Sequence, residues 1–277
     1  MKRILVLFFS LITFSVSGQS KLKGAKENLT EKQQSSEIIS RESESRTTYE
    51  PSYSFSDSFL GLFTGLIFEI TVGLAYYIAV ESPPERNSPM YQSTLNPYPF
   101  ASGAKGDYQY ANWNNFTLWR LDVSNYYFSE RATLFMNDLN VKLRLGSRFA
   151  INAQYAHFWE KLLAAKNENL DLISLTGQYY RIRTPYVSMY WGLGASYIAN
   201  DVNQFGLATE VGNEIFLKPF SIQTDFKYSF FDKSDILVFG IGGKYHFRNF
   251  NVGAKYQYIN LAGYRASGIS VGAGVSF

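Results

Sequence analysis

From Phe116 to Phe277 the chain alternates apolar and polar residues with a period of two, and this rhythm limits the fold more than any other feature. In one run Phe220, Ile222, Thr224, Phe226, Tyr228 and Phe230 share a face, while Ser221, Gln223, Asp225, Lys227 and Ser229 share the other. Side chains that switch sides at every residue belong to β-strands. Ten such strands are predicted, over 116–128, 134–146, 148–159, 170–182, 186–198, 204–217, 220–231, 235–247, 249–260 and 266–277. Most are about twice the usual length of about 5–6 residues. Length of that kind suits a tilted strand crossing a membrane.

A soluble sandwich would turn the apolar face inward, whereas a transmembrane barrel turns it out to lipid. Three features favour the barrel. Tyr155, Trp159, Tyr179, Tyr197, Tyr228 and Phe247 stand near strand ends, as membrane-interface girdles require. Connections alternate between tight turns (LGSR, RTPY, LKPF, FRNF) and mostly longer or more polar loops. Ten strands also return the last residue to the short-turn side, where the first strand begins. The expected fold class is therefore all-β, an antiparallel transmembrane barrel of about ten strands preceded by one apolar, helical segment.

Ahead of the barrel the texture changes several times. Lys2 and Arg3 precede the apolar run Ile4–Val16, and Val16-Ser17-Gly18 offers small residues for cleavage before Gln19. Residues 1–18 read as a signal peptide. Residues 19–57 are polar with little apolar periodicity and are expected to form a periplasmic segment that is disordered or a loose helix. Residues 58–80 are apolar enough for a helix, with Glu69 near the centre of the run. An acid there costs about 3 kcal/mol in a bilayer, which works against retention as an inner-membrane span. Gly61, Gly65, Glu69 and Gly73 recur at every fourth position, a stripe suited to close helix packing. Residues 81–115 form a connector rich in Pro, Asn and Tyr, and 116–277 the barrel.

The last strand, GISVGAGVSF, resembles the terminal signal strand of bacterial outer-membrane β-barrel proteins. The girdle aromatics and the short-turn rhythm carry the same likeness, and cleavage before Gln19 resembles signal peptides of Bacteroidota. The resemblance implies a place in the outer membrane of a Gram-negative bacterium, surrounded by its lipid. It also implies assembly by the barrel-assembly machinery, with Phe277 as the residue read. The apolar run at 58–80 departs from that family.

Strand parity turns Arg120, Asp122, Asp138, Lys142, Arg144, Glu210, Glu214, Asp225, Lys227, Lys244, Lys255 and His246 into the lumen. Mixed signs point to an ion-pair network filling a narrow barrel, because a selective pore concentrates one sign. That favours a structural or interaction role, with a small-solute channel as the alternative and a lipid-active enzyme behind both. Small inward residues on the last strands (Gly240, Gly242, Gly253, Ser270, Gly272, Gly274, Ser276) leave room for a solute path or for the connector folded in as a plug. Outward-facing His157 is the one candidate base, but the His-x-Ser motif of the resembling enzymes is absent and Phe158-Trp159 follows instead. No catalysis, cofactor or metal is expected. The chain has no cysteine, two histidines and a net charge of +3, about +1 without Lys2 and Arg3. That excludes thiolate chemistry and argues against a nucleic-acid partner. A small solute or an extracellular partner at the loops is the remaining expectation.

Overall fold

The structure, a computed structural model, describes residues 20–30, 87–110, 117–131, 133–161, 167–232 and 234–277. The expected signal peptide (1–18) and the apolar run 58–80 with Gly61, Gly65, Glu69 and Gly73 lie outside the described residues.

Ten antiparallel strands close into one barrel: β3 (Trp119–Glu130), β4 (Leu134–Leu145), β5 (Phe149–Glu160), β6 (Glu168–Arg183), β7 (Val187–Ile198), β8 (Gln204–Leu217), β9 (Phe220–Phe231), β10 (Ser234–Phe247), β11 (Phe250–Leu261) and β12 (Tyr264–Ser276). Each strand pairs with the next, and β12 closes on β3 from Ile269↔Ser129 to Ser276↔Asp122. Phe277 continues that seam, exchanging backbone hydrogen bonds with Leu121 at 2.9 and 3.1 Å. Closure pairs every strand on both sides, the arrangement that lets a sheet sit in lipid.

The outer wall carries the apolar face. Phe149, Ile151, Tyr155, Ile173, Leu175, Leu193, Val211, Ile222, Phe226, Ile241, Val252 and Val271 are all exposed on it. Phe149 to Trp159 covers ten residue steps along β5. At about 3.3 Å per step and a tilt of about 40°, that is about 25 Å of bilayer, the height of an outer-membrane apolar band. The turns at 146–148, 184–186, 218–219 and 248–249 mark a short-turn end. The connections at 131–133, 161–167, 199–203, 232–233 and 262–263 lie at the other end, which is the long-loop end only through 161–167 and 199–203.

Two pieces of the chain ahead of β3 fill the ends of the lumen. The hairpin β1 (Ser93–Leu95) and β2 (Tyr108–Tyr110), paired Ser93↔Tyr110 to Leu95↔Tyr108, lies inside the short-turn end. Leu95 and Tyr108 pack there against Ala150, Tyr180 and Tyr190. At the other end, of the two expectations for this stretch, disorder or a loose helix, residues 21–30 take the second and form a helix, α1. Leu22, Ala25 and Leu29 share its buried face, while Lys23 and Glu27 are exposed. Three apolar side chains cannot build a core of their own, which is why composition alone suggests disorder or a loose helix. The long-loop mouth supplies the rest: an inward layer of Phe128, Met136, Phe158, Leu172, Phe231, Ile236 and Ile259.

Candidate functional site

The lumen between the two closures is the candidate site, a cavity of about 180 Å³. Its lining includes all twelve residues that strand parity turned inward: Arg120, Asp122, Asp138, Lys142, Arg144, Glu210, Glu214, Asp225, Lys227, Lys244, His246 and Lys255. To their five acids the hairpin adds Asp107, so six carboxylates face six Lys and Arg side chains around the cavity.

At the short-turn end Asp107 is shared by two guanidiniums. Arg120 Nη1 donates to Oδ1 at 2.9 Å and Arg144 Nη1 to Oδ2 at 3.1 Å. Burial alone would raise the Asp107 carboxyl, but Arg120 and Arg144 outweigh it and hold the group well below the usual carboxylate range. Arg120 also donates to the Asn96 carbonyl at 3.1 Å and pairs with Asp122 at 2.9 Å. Arg144 bonds the Tyr108 hydroxyl and lies 3.7 Å from the Tyr180 ring centroid, and Tyr108 in turn donates to the Ser147 carbonyl at 2.9 Å. Each charge is therefore held by a partner on another segment, which satisfies the requirement for burying it.

Two members of this lock were not visible to parity. Asp107 belongs to the connector, where no alternation marks a direction. Arg183 lies beyond a β-bulge at Tyr180/Ile182 that resets the register with β7. The bulge turns Arg183 inward, fully buried, where it donates to the Tyr180 carbonyl at 2.5 Å and reaches the Met90 carbonyl at 3.4 Å.

Around the rest of the lumen the partners are more varied. Lys244 pairs with Glu214 at 3.2 Å, and Lys255 stands 3.7 Å from Asp138 and 3.9 Å from Asp225. Lys227 donates to Gln154 at 2.7 Å and to Ser174. Glu210 accepts from Gln178 at 2.7 Å and from Thr176. His246 bonds Ser221 at 2.8 Å and meets the Phe100 ring of the connector edge-on at 5.3 Å. Lys142 reaches the Tyr180 hydroxyl at 3.4 Å and lies 4.5 Å from the Tyr190 ring centroid. The Gly-rich wall is less roomy than its composition suggests, because Tyr126 packs against Gly253 and Gly272.

At the long-loop end α1 is tied to the rim. Ser20 caps the helix, its Oγ accepting from Lys23 N at 3.1 Å. The Glu160 carboxylate accepts from Ser20 Oγ at 2.7 Å and from the amides of Lys21 and Leu22 at 3.2 and 3.0 Å. An acid at a helix N-terminus is favoured by both its free N–H groups and its dipole. Lys21 pairs with Glu130 at 2.7 Å, and Lys26 with Glu168 and Asp201 at 3.0 and 3.1 Å. Burial works against the charge on Lys26, but its two carboxylate partners raise its pKa on balance. Gln204 donates to the Leu29 carbonyl at 3.2 Å and Asn28 to the Ala262 carbonyl at 2.9 Å, so α1 reaches across the mouth. Gly24 is needed at the crossing, since a Cβ there would stand 2.2 Å from the Tyr264 ring.

On the outer wall near this end, His157 Nδ1 bonds Asp171 on the neighbouring strand. Among the described residues no group of His, Asp or Glu side chains is arranged to hold a metal.

A closed ten-stranded antiparallel sheet with an apolar outer wall and a charged interior defines a transmembrane β-barrel. The sequence matches the model of the outer membrane protein beta-barrel domain over residues 91–277, and the chain belongs to that family. It is a protein of the Gram-negative outer membrane. The match begins ahead of β3 and so takes in the hairpin, but not α1. A comparison with curated proteins finds no match. Among solved structures the chain is similar to the N-terminal β-barrel domain of Pseudomonas aeruginosa OprF, at 14% identity over 57% of this chain and 97% of that one, with a TM-score of 0.30. It is also similar to Yersinia pestis Ail in a phospholipid nanodisc (18%, 57% and 99%, TM-score 0.33). A third is the KdgM porin in complex with disordered oligogalacturonate (13%, 57% and 99%, TM-score 0.33).

Proposed function

We propose that this chain is a non-catalytic structural or interaction barrel, whose lumen is an internal ion-pair network and whose outward-facing loops are its working surface. The observation that carries the reading is Asp107, which brings the lining to six acids and six bases and ties the hairpin to Arg120 and Arg144. A lumen balanced in charge and crossed by its own chain favours neither sign of ion. The cavity, at about 180 Å³, also falls below the about 300–1,000 Å³ typical of small-molecule pockets. In this reading the short-turn end faces the periplasm, and the barrel-assembly machinery reads Phe277 on a chain cleaved before Gln19 at a Bacteroidota-type site.

A second reading, a small-solute channel, draws on one feature of α1. Its lysine contacts reach a partly exposed rim, with the Asp201 side chain 83% accessible, so the long-loop closure is the easier of the two to undo. Liposome swelling with small neutral sugars separates the readings. The full chain is expected to leave the swelling rate at that of empty liposomes, and sugar-dependent swelling would replace the structural reading by the channel.

A further inference from the structure

α1 and the hairpin lie at opposite ends of the barrel, and the chain between them has to pass from one end to the other. It leaves α1 at the long-loop rim, where the Leu29 carbonyl accepts from Gln204 at 3.2 Å and Asn28 donates to the Ala262 carbonyl at 2.9 Å. It is next described at the short-turn end. There Arg148, in the β4–β5 turn, donates to the Tyr91 carbonyl at 3.3 Å and lies 4.2 Å from the Tyr91 ring centroid. Arg183, beside the β6–β7 turn, reaches the Met90 carbonyl at 3.4 Å. The two ends of a transmembrane barrel are the two faces of its membrane. Residues 31–86 therefore begin on one face and finish on the other.

Two routes connect those faces, one through the lumen and one through the lipid. The lumen is stopped at one end by α1 with its apolar layer, and at the other by the hairpin with its Asp107 lock. A route through lipid needs about 20 apolar residues in a helix, because a lone crossing segment has no other way to pair its backbone. Within 31–86 a run of that length occurs at 58–80, with Glu69 its one charge and at its centre. At about 1.5 Å per residue it would span about 35 Å, enough for the apolar band.

The outer wall offers such a segment a polar partner at mid-depth. Asn125 is exposed on the outer face of β3, midway between Trp119 and Glu130, and its side chain makes no hydrogen bond among the described residues. An amide left unpaired against lipid is costly, and so is a lone carboxyl at the centre of a span. Each supplies what the other lacks. Ala273 stands opposite Asn125 across the β12–β3 seam, and Ala254 lies on the adjoining β11, both exposed. Small side chains there leave room for the stripe of Gly61, Gly65 and Gly73 to come close. Chain length agrees with this place. Residues 81–86 reach at most about 20 Å and lead to the β4–β5 turn. From β5, β3 and β12 are the second and third strands around the barrel, about 10 and 14 Å away.

We propose that residues 58–80 cross the outer membrane as a helix outside the barrel, docked along the β12–β3 seam with the Glu69 carboxyl accepting from Asn125 Nδ2. The chain has no cysteine, so single substitutions report position without background. A membrane-impermeant maleimide is applied to cells before and after permeabilisation. Ser45→Cys is expected to label as Asp201→Cys does at the long-loop end, and Ser82→Cys as Lys218→Cys does at the short-turn end. Labelling of Ser45→Cys and Ser82→Cys from the same face would overturn the crossing. The second measurement locates the helix by disulfide formation in oxidised membranes. Gly65→Cys, one helical turn from Glu69, is expected to cross-link to Val271→Cys, which stands opposite Tyr127, two residues along β3 from Asn125. It is not expected to cross-link to Ser270→Cys, the inward neighbour on β12. Cross-linking to Ser270→Cys instead would put the segment in the lumen, and no cross-link to Val271→Cys in folded barrels would remove it from the seam; either overturns the proposal. Asn125→Leu is expected to slow the 65–271 cross-link about threefold, the effect of losing one hydrogen bond in lipid. An unchanged rate would overturn the pairing with Glu69. Heat-modifiable migration reports whether each variant is folded. Ser45→Cys and Ser82→Cys touch neither the wall nor the apolar run, so they test the crossing where a paired variant does not fold.

Discussion

At the short-turn end the β1–β2 hairpin is held by a carboxylate, Asp107, that two buried guanidiniums share. At the long-loop end α1 is held by three apolar side chains and by lysines that reach the rim. The first contact is specific in geometry and severe to lose, because removing the anion strands two cations out of water. The second spreads its energy over an apolar layer that persists when any one ion pair goes. The family match follows the same division, beginning at residue 91 so that it includes the hairpin and leaves α1 out. A charged lock is built into the domain, and an apolar cork is added by the chain ahead of it.

The largest effect expected from breaking that contrast is at Asp107. Asp107→Ala should lower stability by about 3–5 kcal/mol, read as a lower temperature for the shift from folded to unfolded mobility on gels. The same lock should resist acid. A carboxyl whose pKa is depressed on folding contributes stability above its unfolded value and loses it only as pH falls through the folded one. Protease protection of the hairpin should therefore hold as pH falls through 3.8, the ordinary value for Asp.

Leu22→Ala comes next. It removes a fully buried side chain from the cork and should cost about 2–4 kcal/mol of α1 docking. Faster proteolysis near residues 20–30, with the barrel's heat-modifiable band unchanged, is the expected signature. If the whole barrel loosens instead, α1 is part of the fold's core and the contrast fails.

The smallest effect belongs to Lys26→Ala. One partner, Asp201, is largely exposed, and exposed pairs contribute about 0–1 kcal/mol. The change should be detectable at low ionic strength and vanish at high salt, whereas Asp107→Ala should be nearly indifferent to salt.

What was legible in the sequence follows from periodicity. Alternation located ten strands to within a few residues and turned Arg120, Glu210, Lys255 and their nine companions toward the cavity, because a strand's sidedness needs no tertiary information. The same rule did not reach Arg183, which lies past the predicted strand end at 182 and behind a bulge that inverts the parity. It had no purchase on Asp107, which sits in a turn-rich connector and gets its partners only when the barrel closes. The docking of α1 was missed for a different reason. Its helical spacing, Leu22, Ala25 and Leu29, was present but too short to imply a core, and the missing half is spread over most of the barrel strands. A signal for that half was available: on many strands the inward face turns apolar at the long-loop end, as at Phe128, Phe158 and Ile259. A lumen lined by water has no use for such a layer, so something must cover it.

Single-channel recording in planar bilayers tests the double closure most directly, using the full chain, a variant lacking residues 20–30, and that deletion combined with Asp107→Ala. The account predicts silence from the full chain, little or no current while the hairpin lock alone remains, and steady conductance only when both closures are undone. Steady conductance from the full chain, or from the deletion alone at the level of the double variant, would contradict it.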